Sequence, residues 1–414
     1  MILNNSKTRL KVFSSSFFPA IISAYIDNTD ILSLAILFLA AALFRERSIY
    51  LLIPIYALQY FINESTHRIS LITRKGLMDL VRERFGVPTS FLFGIFVLLS
   101  NLSLTVSIFL LLREISHYIT FPVSYFYLYI AIFLLIPIFL KKLKSIRKLF
   151  FINSVLLLPL FSFLILGHVH VEEMFRPVSF FEISRLNIYP VLAAIFGLSF
   201  PFWTHFFIGG YLSTNNISIH KLEYDKLEQR FVLFFSGMFQ LLILLSFVGL
   251  LSLYKQAPPY PSFMKIIYDI FPVILRIRSI PTLLMVFSCL FGLMFISLSS
   301  SYIFGNFFGI EALPNQEIAE SRGVKYSYLF LLIASFLLAY RLPVRTISFI
   351  VFAGVFNFGL LIFLMYYLFI IANTKDLMGR FRNSLFSNIV MITATVLICV
   401  LFVLVILGFL FPNL

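Results

Sequence analysis

Apolar residues run along this chain in long segments, separated by short polar or basic stretches. A membrane-spanning helix needs about 20 mostly apolar residues, and each segment is close to that length. The pattern therefore predicts an all-α integral membrane protein with 11 spans. They lie at roughly 16–43, 49–69, 90–112, 121–140, 147–167, 188–212, 231–254, 281–306, 325–340, 346–372 and 386–411.

Composition supports this interpretation and sets an orientation. The 414 residues are 60% hydrophobic and 12% charged, whereas soluble chains carry about 25% charge. The net charge of +14 does not require nucleic acid, because basic residues collect in cytoplasmic loops of membrane proteins. A cytoplasmic N-terminus puts about 21 of the 32 Lys and Arg residues inside, and the odd number of spans then predicts an external C-terminus.

Two of the spans contain features that interrupt a helix. The first holds Asp27 and Asp30 in its middle, and the sixth holds Gly197 and Pro201 near its centre. Proline removes a helical hydrogen-bond donor, and glycine lowers the cost of non-helical backbone. Broken segments at corresponding places indicate a transporter built from inverted repeats. We predict one membrane domain, with repeats at about 16–167 and 188–372 and an added helix at 386–411.

The two carboxylates admit two interpretations. A charged Asp at the bilayer centre costs about 2.5–3.5 kcal/mol on insertion scales, and a bound divalent cation would offset both charges. Free backbone carbonyls of an unwound segment would complete such a site. Alternatively, the carboxylates cap the N-terminus of the second half-helix, and this applies more to Asp30 than to Asp27.

Four stretches resemble one known family. AYIDNTD at 24–30 resembles the first-helix Asp-Pro-Gly-Asn motif of the natural-resistance-associated macrophage proteins (NRAMP), which transport divalent metals. Similar stretches follow in the family's order: NESTHRISLITRKGLMDLVRERFG at 63–86, NLSLTVSIF at 101–109 and NTKDLMGRFRNSLFSN at 373–388. The resemblance implies 11 helices in a LeuT/APC-type 5+5 inverted repeat, with broken helices one and six around a metal site.

The resemblance also implies positions for that site. Asp27 falls on the family's metal-binding aspartate and Asp30 on its asparagine, while backbone carbonyls near Leu198 or Ser199 would be further ligands. The sixth-helix Met-Pro-His motif has two possible registers here. One places Phe200 and Phe202 at the methionine and histidine positions, and the other places Pro201 and Trp203 there.

These departures change the expected chemistry. Neither register supplies a thioether, so the predicted site is all oxygen and suits Mg²⁺, Mn²⁺ or Ca²⁺; some NRAMP-related magnesium transporters also lack that methionine. Ile108 replaces the family's third-helix acidic residue, with Thr105 one turn before it, and His205 lies off the motif position. Proton coupling is therefore expected to be weak or absent. Asn357 and His205 are further candidates for the pathway.

The sequence thus predicts a divalent-cation transporter of the cytoplasmic membrane, whose partners are the bilayer and the transported ion. No cofactor, nucleic acid or obligatory protein partner is expected. No phosphate-binding loop or catalytic triad pattern is present, so an enzyme is not expected. Two alternatives stay open: a non-transporting sensor or structural relative that kept the fold, and a carrier of an organic cation.

Overall fold

The computed structural model describes residues 30–117, 127, 129–135, 188–214, 222–253, 279–307 and 322–410. Every long element in these ranges is an α-helix, as expected of apolar segments whose backbone groups must bond within the segment. We number them in chain order: α1 Ile31–Phe44, α2 Ile49–Thr73, α3 Leu77–Ser116, α4 Tyr189–Ser199, α5 Phe202–Thr214, α6 Leu222–Leu253, α7 Ser279–Phe307, α8 Arg322–Arg341, α9 Thr346–Asn373 and α10 Leu385–Leu410.

The predicted all-α membrane architecture is confirmed. Seven helical segments among the described residues are long and apolar enough to cross a membrane, with α4 and α5 together forming one of them. The predicted fourth span is described only at 127 and 129–135, and the fifth, at 147–167, lies outside the described residues. The first half of the first span also lies outside them.

Several spans differ from their predicted bounds: the seventh, predicted at 231–254, begins at Leu222, and the third and sixth differ in course as well. The third extends to Leu77–Ser116, but Gly86 interrupts it with a φ of 86°, a conformation that favours glycine. Pro88 follows directly. The sixth is not continuous: α4 ends at Ser199 and α5 begins at Phe202. Gly197 lies inside α4 with helical neighbours, so the interruption is at Phe200–Pro201 and not at the glycine.

The two spans with a described interruption, the third (α3) and the sixth (α4 and α5), each pack against several other helices. Helix α4 packs against α1 and, most extensively, against α9; α3 packs against α5, α7, α8 and α9. The α4–α9 contact is close because both helices have glycine there. A Cβ atom at Gly197 would lie 2.0 Å from the Gly354 carbonyl oxygen, and one at Gly354 would lie 2.6 Å from Ala194 Cα.

Candidate cation site

The interruption of the sixth span frees backbone carbonyl groups. Phe200 has φ −129° and ψ 67°, outside the helical region. Pro201 has no N–H to donate to the Gly197 carbonyl. The Phe202 N–H, which a continuous helix would direct at the Leu198 carbonyl, instead meets Asn357 Oδ1 at 3.4 Å. The carbonyls of Gly197 and Leu198 thus lose their usual helical donors and are the groups that such a break offers to a ligand.

Asn357, which lies on α9, accepts the hydrogen bond from the Phe202 N–H at this break. It is fully buried, and its Oδ1 also accepts a hydrogen bond of 2.5 Å from Ser100 Oγ of α3. Its Nδ2 donates to the Ala353 carbonyl at 2.9 Å. One amide therefore joins α3, α5 and α9. The sequence singled out Asn357 as a pathway residue, and the structure places it at the start of α5.

The other candidate residues of the sixth span, 198–201, differ in the hydrogen bonding and burial of their side chains. Ser199 Oγ donates to the Ile195 carbonyl at 2.7 Å, so its hydroxyl is engaged within α4. Leu198 and Phe200 are buried, and Pro201 is half-buried. Any contribution of Leu198 or Ser199 to a cation would therefore come from the backbone carbonyls, as the resemblance implies. Their role as cation ligands stays a prediction.

Asp30 caps the half-helix of the first span. Its backbone is extended (φ −69°, ψ 153°) and α1 begins at the next residue. Oδ1 accepts hydrogen bonds from the Leu32 N–H at 2.9 Å and the Ser33 N–H at 3.2 Å, and Oδ2 accepts one from Ser33 Oγ. The capping interpretation therefore holds for Asp30. Its carboxylate has about four acceptor positions, so capping does not prevent it from binding a cation. Asp27 lies outside the described residues.

Helix α7 reaches the Asp30 end of α1, which the sequence did not reveal. A Cβ atom at Gly292 would lie 3.8 Å from Ile31 Cγ2 and 3.1 Å from Ile108 Cδ1. Cys289, one turn earlier on α7, is fully buried and lies within electrostatic range of the Asp30 carboxylate. A cysteine in an apolar segment gives no signal of this kind, because only the packing of α7 on α1 brings it to Asp30.

The third span presents no acidic group near this contact. Ile108 is fully buried against Gly292. Thr105 Oγ1 lies 2.6 Å from Ser335 Oγ of α8 and 2.8 Å from the Asn101 carbonyl oxygen. Thr105 therefore takes part in an interhelical hydrogen bond between α3 and α8. Within the described ranges no group of three or more His, Cys, Asp or Glu side chains is placed to hold a metal.

His205 lies on α5, four residues beyond Pro201. Its side chain is 3% exposed, and neither ring nitrogen has a hydrogen-bond partner among the described residues. His67 of α2 lies within electrostatic range of it. No hydrogen bond joins His205 to Asp30 within the described part of the chain.

A second polar network ties α2 to the segment before α10. Arg68 Nε lies 2.9 Å from Glu64 Oε1. The Arg68 guanidinium also donates to the Phe381 carbonyl and, at 2.5 Å, to Asn383 Oδ1. Asn383 Nδ2 in turn donates to Asn388 Oδ1 at 3.0 Å. The stretches at 63–86 and 373–388, which are far apart in the sequence, therefore meet in the fold.

Comparisons with known proteins identify the fold and the family. The chain superposes on three structures of the Eremococcus coleocola manganese transporter, each match covering 99% of this chain and 90% of the other. A histidine-to-alanine mutant gives 13% identity and a TM-score of 0.67, and a glutamate-to-glutamine mutant gives 14% and 0.66. The complex with an aromatic bis-isothiourea substituted compound gives 12% and 0.65. At these identities the likeness concerns the fold.

No curated protein matches the chain. The family model described as natural resistance-associated macrophage protein-like matches residues 47–408. This range includes the broken sixth span, Asn357 and the 373–388 segment, and it covers most of the 414 residues. The chain therefore belongs to the natural resistance-associated macrophage protein-like (Nramp) family.

Proposed function

We propose that this protein transports a divalent metal cation across the cytoplasmic membrane and binds the ion between the breaks of its first and sixth spans. Membership of the Nramp family and the fold shared with a manganese transporter support this proposal. The ion would be bound by Asp27, Asp30 and the backbone carbonyls near Leu198 and Ser199. The two repeats would move against each other around this site, as in other transporters of broken-helix architecture.

The observation that carries the proposal is the sixth-span break. Buried carbonyl groups without donors are costly in a membrane core, yet the Phe202 N–H is directed to Asn357 and away from the Leu198 carbonyl. Helix α4 packs against α1, whose first residue follows Asp30. Carboxylate and carbonyl oxygens on neighbouring elements form the type of ligand set that binds a cation.

The ligand set favours a hard ion, Mg²⁺, Mn²⁺ or Ca²⁺. The side chains at the sixth-span break are phenylalanine and proline, which contribute no soft donor, and the remaining groups are oxygens. Cys289 carries a sulfur atom near Asp30, and the sequence did not suggest this proximity. Comparison of the wild type with Cys289→Ser therefore tests whether a thiol modifies the preference. Retention of Mg²⁺ or Mn²⁺ transport in that variant is the expected result.

Proton coupling is proposed to be weak or absent. The third span carries Ile108 against Gly292 and Thr105 against Ser335, and neither side chain exchanges a proton near neutral pH. The Asp27–Asp30 pair would bind a proton in competition with the cation, because two adjacent carboxylates repel each other. A low external pH would then inhibit metal uptake, and the proton gradient would not drive it.

The test is uptake by purified protein in proteoliposomes, with Mg²⁺, Mn²⁺ and Ca²⁺ supplied separately. We expect saturable flux of at least one of them. An absence of both flux and binding for all three ions would favour a non-transporting relative. Flux of an organic cation, supplied in a parallel assay, with none of the three metals transported would favour a carrier of organic cations.

The coupling proposal has its own measurement. A pH-sensitive dye inside the vesicles reports proton entry during metal uptake at zero membrane potential. We expect little acidification. Acidification in proportion to metal flux would contradict the uncoupled proposal and would direct attention to His205 or the aspartate pair.

A further inference from the structure

Helix α5 presents three differently used faces. Phe202 and Phe206 contact Phe93 of α3. Trp203 and Phe207 contact Phe295 of α7. The third face contains His205 and Gly209, which are four residues apart and therefore one above the other on the helix. This face meets α2.

The contact between Gly209 and α2 fixes what His205 faces. A Cβ atom at Gly209 would lie 3.1 Å from Ser70 Oγ. Residues one turn earlier on α2, 66 and 67, then lie beside residue 205 if the two helices run in the same direction. They do so, because His205 is within electrostatic range of His67 while Gly209 contacts Ser70. The α2–α5 interface thus brings Thr66, His67, Ser70 and His205 together.

Three of these four side chains lack a hydrogen-bond partner within the described part of the chain. They are the Thr66 hydroxyl, the Ser70 hydroxyl and both ring nitrogens of His205, and each residue is at most 3% exposed. Buried polar atoms are nearly always paired with protein or water, so a cluster of exceptions requires an explanation. Helix geometry does not explain it, because many helical hydroxyls elsewhere in the described ranges bond a carbonyl three or four residues back, although Ser297 also lacks a partner.

Nearby hydroxyls illustrate the contrast. Thr73 Oγ1 donates to the Ile69 carbonyl and Ser107 Oγ to the Ser103 carbonyl, both at 2.8 Å. Thr66 and Ser70 have the same option on α2 and do not use it. Their hydroxyls are therefore available at the interface with α5.

We propose that His67 and His205, with the hydroxyls of Thr66 and Ser70, form a binding site for a borderline transition-metal ion such as Zn²⁺ or Co²⁺. Neutral imidazole nitrogen is a preferred ligand of these metals, and hydroxyl or water oxygens complete their coordination. Each imidazole would bind the metal through one nitrogen. His67 is half-buried and gives the ion a route to the buried His205. We name this group the α2–α5 histidine site.

The site is separate from the proposed transport site in both place and chemistry. His205 is four residues beyond Pro201, which is about 6 Å along a helix. Its nitrogen ligands favour Zn²⁺ and Co²⁺, whereas an oxygen set also accepts Mg²⁺. Occupancy would join α2 to α5, the second half of the broken span, so a bound ion would stabilise one arrangement of these helices.

The experiment uses Co²⁺, whose visible absorption reports nitrogen ligation. In a full-length variant with His117, His168, His170 and His220 replaced by glutamine, His67 and His205 are the remaining two of the six histidines. We expect this variant to bind Co²⁺, Zn²⁺ to displace it and excess Mg²⁺ to leave it bound. Absence of Co²⁺ binding, with the cluster satisfied by water alone, would overturn the proposal.

Single substitutions then assign the ligands. In the otherwise wild-type chain, His67→Gln and His205→Gln are each expected to weaken Co²⁺ binding at least about tenfold, since loss of even an outer partner costs about 10–100-fold. His117→Gln is the matched control, because His117 is exposed at the end of α3. Asp30→Asn is expected to keep the Co²⁺ absorption, which separates this site from the proposed transport site. Equal Co²⁺ affinity in all four variants would contradict the assignment.

Discussion

The second halves of the two broken spans begin in different ways. Helix α1 is capped by its own preceding residue, Asp30, which satisfies two backbone N–H groups at the helix start. Helix α5 begins after a proline, and its Phe202 N–H is satisfied by Asn357, 155 residues away on α9. A local cap needs only the residue at the right position, whereas a distant cap needs the whole bundle to place it.

The two capping groups also differ in charge. Asp30 brings a carboxylate to its break, which favours a cation. Asn357 brings a neutral amide, which directs the Phe202 N–H away from the Leu198 carbonyl. In the proposed site, the first break would supply most of the electrostatic attraction and the sixth would supply coordination geometry. Four substitutions test this division.

The largest expected effect is on transport by Asp27→Ala. Removal of a carboxylate from the proposed site should reduce divalent flux to background, because Asp30, which also caps α1, would be the one carboxylate left in the proposed ligand set. The measurement is metal uptake in proteoliposomes at matched protein density. Asp376→Ala removes an exposed carboxylate outside α9 and is the control. Full uptake by a well-folded Asp27→Ala protein would contradict the central proposal.

The next effect concerns the close packing that brings Asn357 to α5. Gly197→Ala would place a methyl group 2.0 Å from the Gly354 carbonyl oxygen, so α4 and α9 must separate. We expect a loss of about 3 kcal/mol of stability, measured by thermal unfolding in detergent. Gly237→Ala is the matched control, since its Cβ would lie 3.6 Å from Tyr56. Equal melting temperatures would show that the close contact is not needed.

A smaller effect is expected from Asn357→Leu. The leucine leaves the buried Phe202 N–H and Ser100 hydroxyl without their acceptor, at a cost of about 1–3 kcal/mol. If the Phe202 N–H then returns to the Leu198 carbonyl, cation affinity should fall as well. Isothermal titration with Mn²⁺ measures this. Ser100→Ala keeps the acceptor for Phe202 and should retain affinity; loss of affinity in Ser100→Ala alone would assign the effect to α3 packing.

The smallest effect is on selectivity. Phe200→Met puts a thioether beside the break and is expected to raise affinity for Cd²⁺ relative to Mg²⁺. A contact worth about 1 kcal/mol corresponds to roughly fivefold. Phe200→Leu, similar in size and without sulfur, is the control. Pro201→Met is less informative, because it also returns an N–H donor to the Gly197 carbonyl. An identical ion preference in the Met and Leu variants would place residue 200 away from the ion.

The sequence by itself predicted the membrane class, the family and the apolar segments that form the described helices. Long apolar segments must form helices in lipid, because their backbone groups have no other partners there. It also located the sixth-span interruption, since Pro201 cannot donate, and it singled out Asp30, since a carboxylate inside an apolar run indicates either a cap or a site. Capping was one of the two interpretations that the sequence allowed for Asp30, and it could be anticipated because it is a contact between residues two and three apart.

The tertiary structure decided everything that depends on distant residues. Gly197, expected to loosen the backbone, instead allows α4 to approach α9. Asn357, Cys289 and His67 gave no reliable signal of their neighbours, because each meets its partner only through helix packing. Hydrophobic periodicity specifies which segments are buried, but lipid and protein neighbours are similarly apolar, so it does not specify which helices meet. The geometry of both breaks depends on which helices meet.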